Sequence, residues 1–276
     1  MNWTSIAAIV RKDLATVIRN RGVRIPLLVT PIVILVVLPT VLVAGAEALV
    51  TGTAVPLEDA AGFPGMDDNA GPESSGRTGD LDPIGQWAYF VLEVFIAPLF
   101  LLVPLIVATV IAADSFAGER ERGTLEALLH TPTTDRELLT AKFLAAWLPA
   151  VTVSLVGFAV YSVLANVLAW PSIGRIFFPS PTWLVLGFWV APGLAALGLS
   201  IMVIASSRVN SLQAAHQIGS LVVLPVVLLL IVQISGVMQL SLVVVVVMGA
   251  AIWLGAVAML VIGARTLRRH RLARRL

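Results

Sequence analysis

Six apolar runs of membrane-crossing length set the pattern of the chain, at residues 25–46, 86–113, 143–169, 182–205, 217–238 and 241–263. A helix needs about 20 predominantly apolar residues to cross the hydrocarbon layer. Backbone groups in that layer have no water to bond, so long apolar runs of this kind fold as helices. Their spacing does not suit the short alternating strands of a barrel. The pattern therefore predicts an all-α integral membrane protein with six transmembrane helices in one domain over 1–276. The last two runs are separated only around Gln239-Leu240, which predicts a tight helical hairpin. Pro98, Pro104, Pro149, Pro192 and Pro225 interrupt the runs and are candidate bends. Gly187, Ala191 and Ala195 recur every four residues in the fourth run, a spacing that admits close helix contact.

Ahead of the first run, within residues 1–24, Trp3, Ile6, Val10, Leu14, Val17 and Ile18 share one helical side, and Ser5, Lys12, Thr16 and Arg19 the other. This segment is too short and too polar to span. It suits a helix lying in the membrane interface, with Trp3 at headgroup level and Arg11, Lys12, Arg19 and Arg21 available to phosphates. An amphipathic helix packed on other protein would show the same pattern. Arg21-Gly22 and Pro26 are where the chain is expected to turn into the first span.

Between the second and third runs lies the only dense stretch of alternating charge, residues 114–142. Its charged residues are Asp114, Glu119, Arg120, Glu121, Arg122, Glu126, Asp135, Arg136, Glu137 and Lys142. Leu125, Leu128 and Leu129 fall at helical spacing, so Phe116 to Leu129 reads as a short amphipathic helix. Pro132 breaks it, and Thr134 with Glu137 forms a capping box for the next span. A helix, a break and a fresh cap are more than a soluble connector requires, and they point to a docking element.

Composition narrows the class further. The 276 residues are 58% hydrophobic and 12% charged, with no cysteine, which excludes disulfides and thiol chemistry. The net charge of +2 is small, but its distribution is lopsided. The N-terminal segment, the 114–142 stretch, Arg208 and the tail from Arg265 to Arg275 hold every lysine and arginine except Arg77 and Arg175. By the positive-inside rule both termini (with the basic tail, 264–276) and the 114–142 stretch are expected in the cytoplasm. The first external loop, 47–85, is rich in Gly, Pro and acids, a composition that cannot bury a core. Asp67-Asp68-Asn69 lacks calcium-loop spacing and reads as part of a solvated cover. No removable signal peptide is expected. Glu93 is the only acid clearly inside a span, which makes it a candidate for a transport path. His130, His216 and His270 show no ligand spacing, and no G-x-x-x-x-G-K-[ST], H-E-x-x-H or G-x-S-x-G motif is present.

The run G-E-R-E-R-G-T-L-E-A-L-L-H-T-P, Gly118 to Pro132, followed by Lys142, closely resembles the signature of ABC-2 type transporter permeases. The R-K-D-L at Arg11, the pair Arg19/Arg21, Pro31, and Pro225 followed by Gly236 resemble it too, so the likeness covers nearly the whole chain. The resemblance implies a six-helix permease of a prokaryotic cytoplasmic membrane that pairs with a second copy or a related permease and acts as an exporter. Each half would dock on a separate ABC ATPase that binds ATP and Mg, leaving this chain with no cofactor, no metal, no catalytic residue and no nucleic-acid partner. Residues 116–129 would then be the coupling helix, carried by Gly118, Glu119, Arg120, Glu121, Arg122, Gly123, Thr124, Leu125, Glu126, Leu128 and Leu129. The long first external loop looks more like the sodium, drug and copper-maturation branches than the polysaccharide exporters. Two other classes stay open on the residues alone, a non-transporting membrane anchor and an intramembrane enzyme built on Glu93. The topology has a direct check: reporters fused at Gly71 and at the C-terminus should report opposite sides of the membrane, and the same side for both would end it.

Overall fold

The computed structural model describes residues 3–53, 80–115, 135–206, 211–235 and 240–266. Among them there are only helices, and six are long and apolar enough to cross a membrane. Helix α1 is Trp3–Arg19. Helix α2 joins Arg21–Ile32, a π-helical turn Val33–Val37, and Leu38–Thr53. Helix α3 joins Pro83–Tyr89, a π turn Phe90–Phe95, and Ile96–Ala113. Helix α4 is Asp135–Ile173, so the 143–169 run is the apolar part of a rod longer than the hydrocarbon layer is thick. Helix α5 joins Pro181–Val185, a π turn Leu186–Val190, and Ala191–Ser206. Helix α6 consists of Leu212–Leu221 and Leu224–Ile234, and α7 is Leu242–Thr266.

Two local features differ from the sequence reading. The chain turns at Asn20, ahead of Arg21-Gly22 and Pro26. Asn20 is extended (φ −80, ψ 112), and its side chain accepts the Gly22 N–H, which starts α2 at once. Pro225 does not bend a continuous helix but opens the second part of α6, where its missing N–H costs no helical bond. The link between α6 and α7 (236–239) lies outside the described residues.

The π turns of α2, α3 and α5 are each followed shortly by a proline: Pro39, Pro98 and Pro192. Proline offers no N–H, and its ring crowds the carbonyl four residues earlier. The preceding turn widens, with Leu38, Ile96 and Ala191 donating to Val33, Val91 and Leu186, five residues back. Carbonyls loosened in this way need outside donors, because an unmet backbone group in hydrocarbon costs several kcal/mol. In α3 three consecutive carbonyls receive them. The Tyr161 hydroxyl donates to Leu92 at 2.6 Å, Trp183 Nε1 to Glu93 at 3.0 Å, and Gln233 Nε2 to Val94 at 2.8 Å. The donors come from α4, α5 and α6, so one widened turn ties four spans together. Val94 is the carbonyl that Pro98 leaves without its usual partner.

Other indoles act in the same way. Trp87 donates to Leu42, Trp147 to Pro192, and Trp253 to Trp189 in the π turn of α5. Helices α3 and α5 are largely buried and form the centre, while the remaining spans expose much of their surface. The core divides into two parts. One half is aromatic: Trp183 packs against Phe178 at 4.8 Å, Tyr161 at 5.1 Å and Phe100 at 5.5 Å between ring centroids. Asn166 folds the 174–180 loop over this cluster, accepting from the Phe177 and Phe178 N–H groups and donating to the Phe178 carbonyl. The other half is built on alanine, with Ala108, Ala112, Ala146, Ala150, Ala195 and Ala215 buried where α3, α4, α5 and α6 approach closely.

Small residues fix the α5 contacts. Gly187 lies against Phe158 of α4, and Ala191 and Ala195 are fully buried. Gly193 faces the Trp253 indole of α7, and Gly249 of α7 faces the Trp189 indole, closer than a side chain permits. A methyl group at 249 has no room, since the facing atoms belong to a ring already packed against Trp253 at 6.0 Å. Gly249→Ala should therefore lower stability by about 1–3 kcal/mol, the usual cost of overpacking. Gly45→Ala, where a Cβ meets nothing within 4 Å, should be neutral or slightly stabilising. Thermal unfolding in detergent checks the pair.

Candidate functional site

Buried charge is expensive unless paired, and here it gathers at one end of the bundle. Asp13, Asp114, Glu137 and Lys142 are all buried there. Helix α1 lies along α4, with Ile6, Asp13 and Val17 on its inner side. Its other side exposes Trp3, Arg11, Lys12 and Arg19, and Arg21 is exposed just after the turn.

Asp13 stands between the chain's two lysines. Lys12 Nζ is 3.6 Å from Asp13 Oδ1, and Lys142 Nζ is 3.9 Å from Asp13 Oδ2. These are charge contacts rather than short hydrogen bonds. The Lys12 side chain is 57% exposed and that of Lys142 only 3%, so the second pair is the dry one. Lys142 Nζ also donates to the Ser115 carbonyl at 3.0 Å. One ammonium on α4 thus touches α1 and the end of α3.

A second tie runs in parallel. Asn20, at the joint between α1 and α2, uses its oxygen to cap Gly22 at 3.0 Å and its amide to donate to Asp114 at 3.1 Å. Asp114 and Ser115 are the last residues described before segment 116–134, and Lys142 lies about two turns inside α4 after it. The entry and exit of that segment are therefore anchored to each other and to the N-terminal helix.

The predicted docking residues Gly118, Glu119, Arg120, Glu121, Arg122, Gly123, Thr124, Leu125, Glu126, Leu128 and Leu129, and Thr134 of the capping box, lie outside the described residues. The histidine side chains do as well. Glu93 is partly buried in the π turn of α3, where its backbone carbonyl accepts from Trp183. At 1.5 Å per residue it stands about 30 Å along α3 from Asp114, so the structure does not bring it to the junction. Sequence reasoning missed Asp13 and Asn20. The signal for Asp13 was its register, seven residues after Ile6 and four before Val17, which puts a carboxylate on the apolar side of the helix. A charge placed there calls for an opposite charge, and Lys142 supplies it.

Six apolar helices, with a charged segment held at its two ends between the second and third, define a multi-pass membrane protein. The model of the ABC-2 family transporter proteins matches residues 7–243, and the chain belongs to that family. It is therefore a membrane permease component of an ABC transporter; such permeases are transport components, not catalysts, and typically pair with an ABC ATPase. Comparison with curated proteins gives no match.

Asn20 serves as cap and tie together, so its substitutions separate the two roles. Asn20→Ala should cost about 1–2 kcal/mol, from the cap and from the Asp114 contact. Asn20→Asp keeps a good cap but sets a carboxylate against Asp114, and should be at least as damaging. Unfolding in detergent ranks the two; an aspartate variant as stable as the parent would show that only the cap counts.

Proposed function

We propose that this chain is the membrane half of an ATP-driven exporter in the cytoplasmic membrane of a prokaryote, and that residues 116–129 dock the separate ATPase. The observation carrying this reading is the junction: Asp114 is tied by a part-buried hydrogen bond to Asn20 just after α1, and Lys142 by a buried charge contact to Asp13 of α1 and a hydrogen bond to Ser115. A segment held in this way can pass a push to α3 and α4 together. In this reading the ATPase closes on ATP and Mg, and Glu119, Arg120, Glu121, Arg122 and Glu126 align the docking helix through ion pairs. Surface pairs contribute only about 0–1 kcal/mol each, so Leu125, Leu128 and Leu129 must pack as well. Closure then tilts α3 and α4 and switches the bundle between inward- and outward-facing arrangements.

The arginine and lysine distribution supports a cytoplasmic location for the junction and both termini. Exposed apolar faces on α2 (Leu28, Ile32, Val41) and α7 (Val243, Val247, Leu254) suit lipid and a second permease, either an identical copy or a relative. Trp3, Arg11, Lys12, Arg19 and Arg21 suit the headgroup layer. Glu93 is the acid available to a transport path, inside a turn already widened for movement. The acidic external loop favours the sodium, drug or copper-maturation branches over sugar-chain export.

The test is capture of the cognate ATPase by the purified permease. The double substitution Glu119→Lys with Glu121→Lys should leave insertion unchanged and weaken capture, modestly if the contacts are at a rim and strongly if they are dry. Leu128→Asp should abolish capture, since it buries an unpaired carboxylate. Parent-like capture by both variants would remove 116–129 from the docking role.

A further inference from the structure

We propose that Asp13 and Lys142 are positioning residues whose buried pair makes α1 move as one body with the ends of α3 and α4, so that α1 is a second lever of the docking step. The inference rests on the docking reading above for what drives the movement, but the seat itself stands on geometry.

Helix α1 leads into the first span through Asn20. Its inner contacts are Ile6 and Val17, and Val17 packs against the alanine-lined part of the core. Such a shallow surface gives little hold against sliding. The ammonium of Lys142 supplies a fixed point. It belongs to α4, stands 3.9 Å from Asp13 of α1, and donates at 3.0 Å to Ser115 at the end of α3. An ammonium has three donors and no acceptor, so one group can hold three elements. Pulling α1 away would take the buried Asp13 carboxylate from the ammonium while Lys142 kept its bond to Ser115, so the cost of separation falls on a dry carboxylate. Lys12 cannot replace Lys142 here, because it lies on α1 itself and faces water. Asn20–Asp114 adds a second point just past the C-terminus of α1, seven residues from Asp13, which opposes rotation about the lysine. Displacement of the α3 and α4 ends must therefore carry α1 with it.

The sequence makes the test clean, since Lys12 and Lys142 are the only lysines and there is no cysteine. With the permease alone in nanodiscs, a small amine-acylating reagent is followed by peptide mass spectrometry. Lys142 should react at least about tenfold more slowly than Lys12, and Asp13→Asn should speed Lys142 by about tenfold through local opening. Equal rates for the two lysines, or no acceleration in the variant, would overturn the seat.

The second arm places a fluorophore at Ala8→Cys, an exposed position on α1. It records the signal change when the cognate ATPase is added with ATP and vanadate. The compared variant is Asp13→Leu with Lys142→Met, an apolar pair that removes both charges of the contact together, with thermal unfolding in detergent as the folding control. The parent should show the change; the variant should still capture the ATPase but keep less than about one tenth of the change. A full change in the variant, or none in an ATPase-bound parent, would overturn the lever. Failure of the parent to capture the ATPase, with Lys142 still protected, would overturn the docking reading and the lever with it, while leaving the seat in place.

Discussion

No backbone carbonyl in the hydrocarbon layer can be left without a donor, and this bundle is arranged around that constraint. Pro39, Pro98 and Pro192 each withdraw a donor inside a span, and each is preceded by a widened turn. In α3 and α5 the repairs come from side chains of other helices, so the defect becomes a helix–helix bond, whereas in α2 Thr40 donates to Val36 within the same helix. Helix α3 receives three such bonds in succession and consequently lies at the centre. The indoles are well suited to the task, because one face packs as hydrocarbon while the N–H satisfies the carbonyl.

The same logic, applied to charge, governs the opposite half. Bulky aromatics fill the π-turn region, whereas alanines bring the helices close near the junction. Close approach excludes water, which makes the Asp13–Lys142 pair a strict constraint rather than a loose surface contact. The permease thus has an aromatic region held by hydrogen bonds to carbonyls and an alanine region held by buried charge.

Six spans and the helical class were legible because the apolar runs exceed the thickness of the membrane, a signal no local irregularity can hide. The Gly187, Ala191 and Ala195 ridge was legible for a similar reason, since its period is that of the helix. Asn20 was not: glycine and proline next to it are louder turn signals, yet the asparagine makes the cap. Nor were Tyr161, Trp183 and Gln233, whose partners are carbonyls 69, 90 and 139 residues away in the chain. Pattern reading sees what a side chain is and how often it recurs; it does not see which distant carbonyl a proline has left unmet. Asp13 lay between these cases, visible as an intruder on an apolar stripe but unassignable until α1 was set against α4.

The contact between α5 and α7 has a consequence of its own. Trp189 and Gly193 on one helix meet Gly249 and Trp253 on the other, ring to notch and notch to ring, with the same four-residue spacing. As alternate spans, the two run parallel, so the motif repeats its own register. Slipping by one turn would drive indole against indole and leave both notches empty. A shear movement between these two helices is therefore closed off, and α5 with α7 behaves as a single strut against which the rest of the bundle must rock.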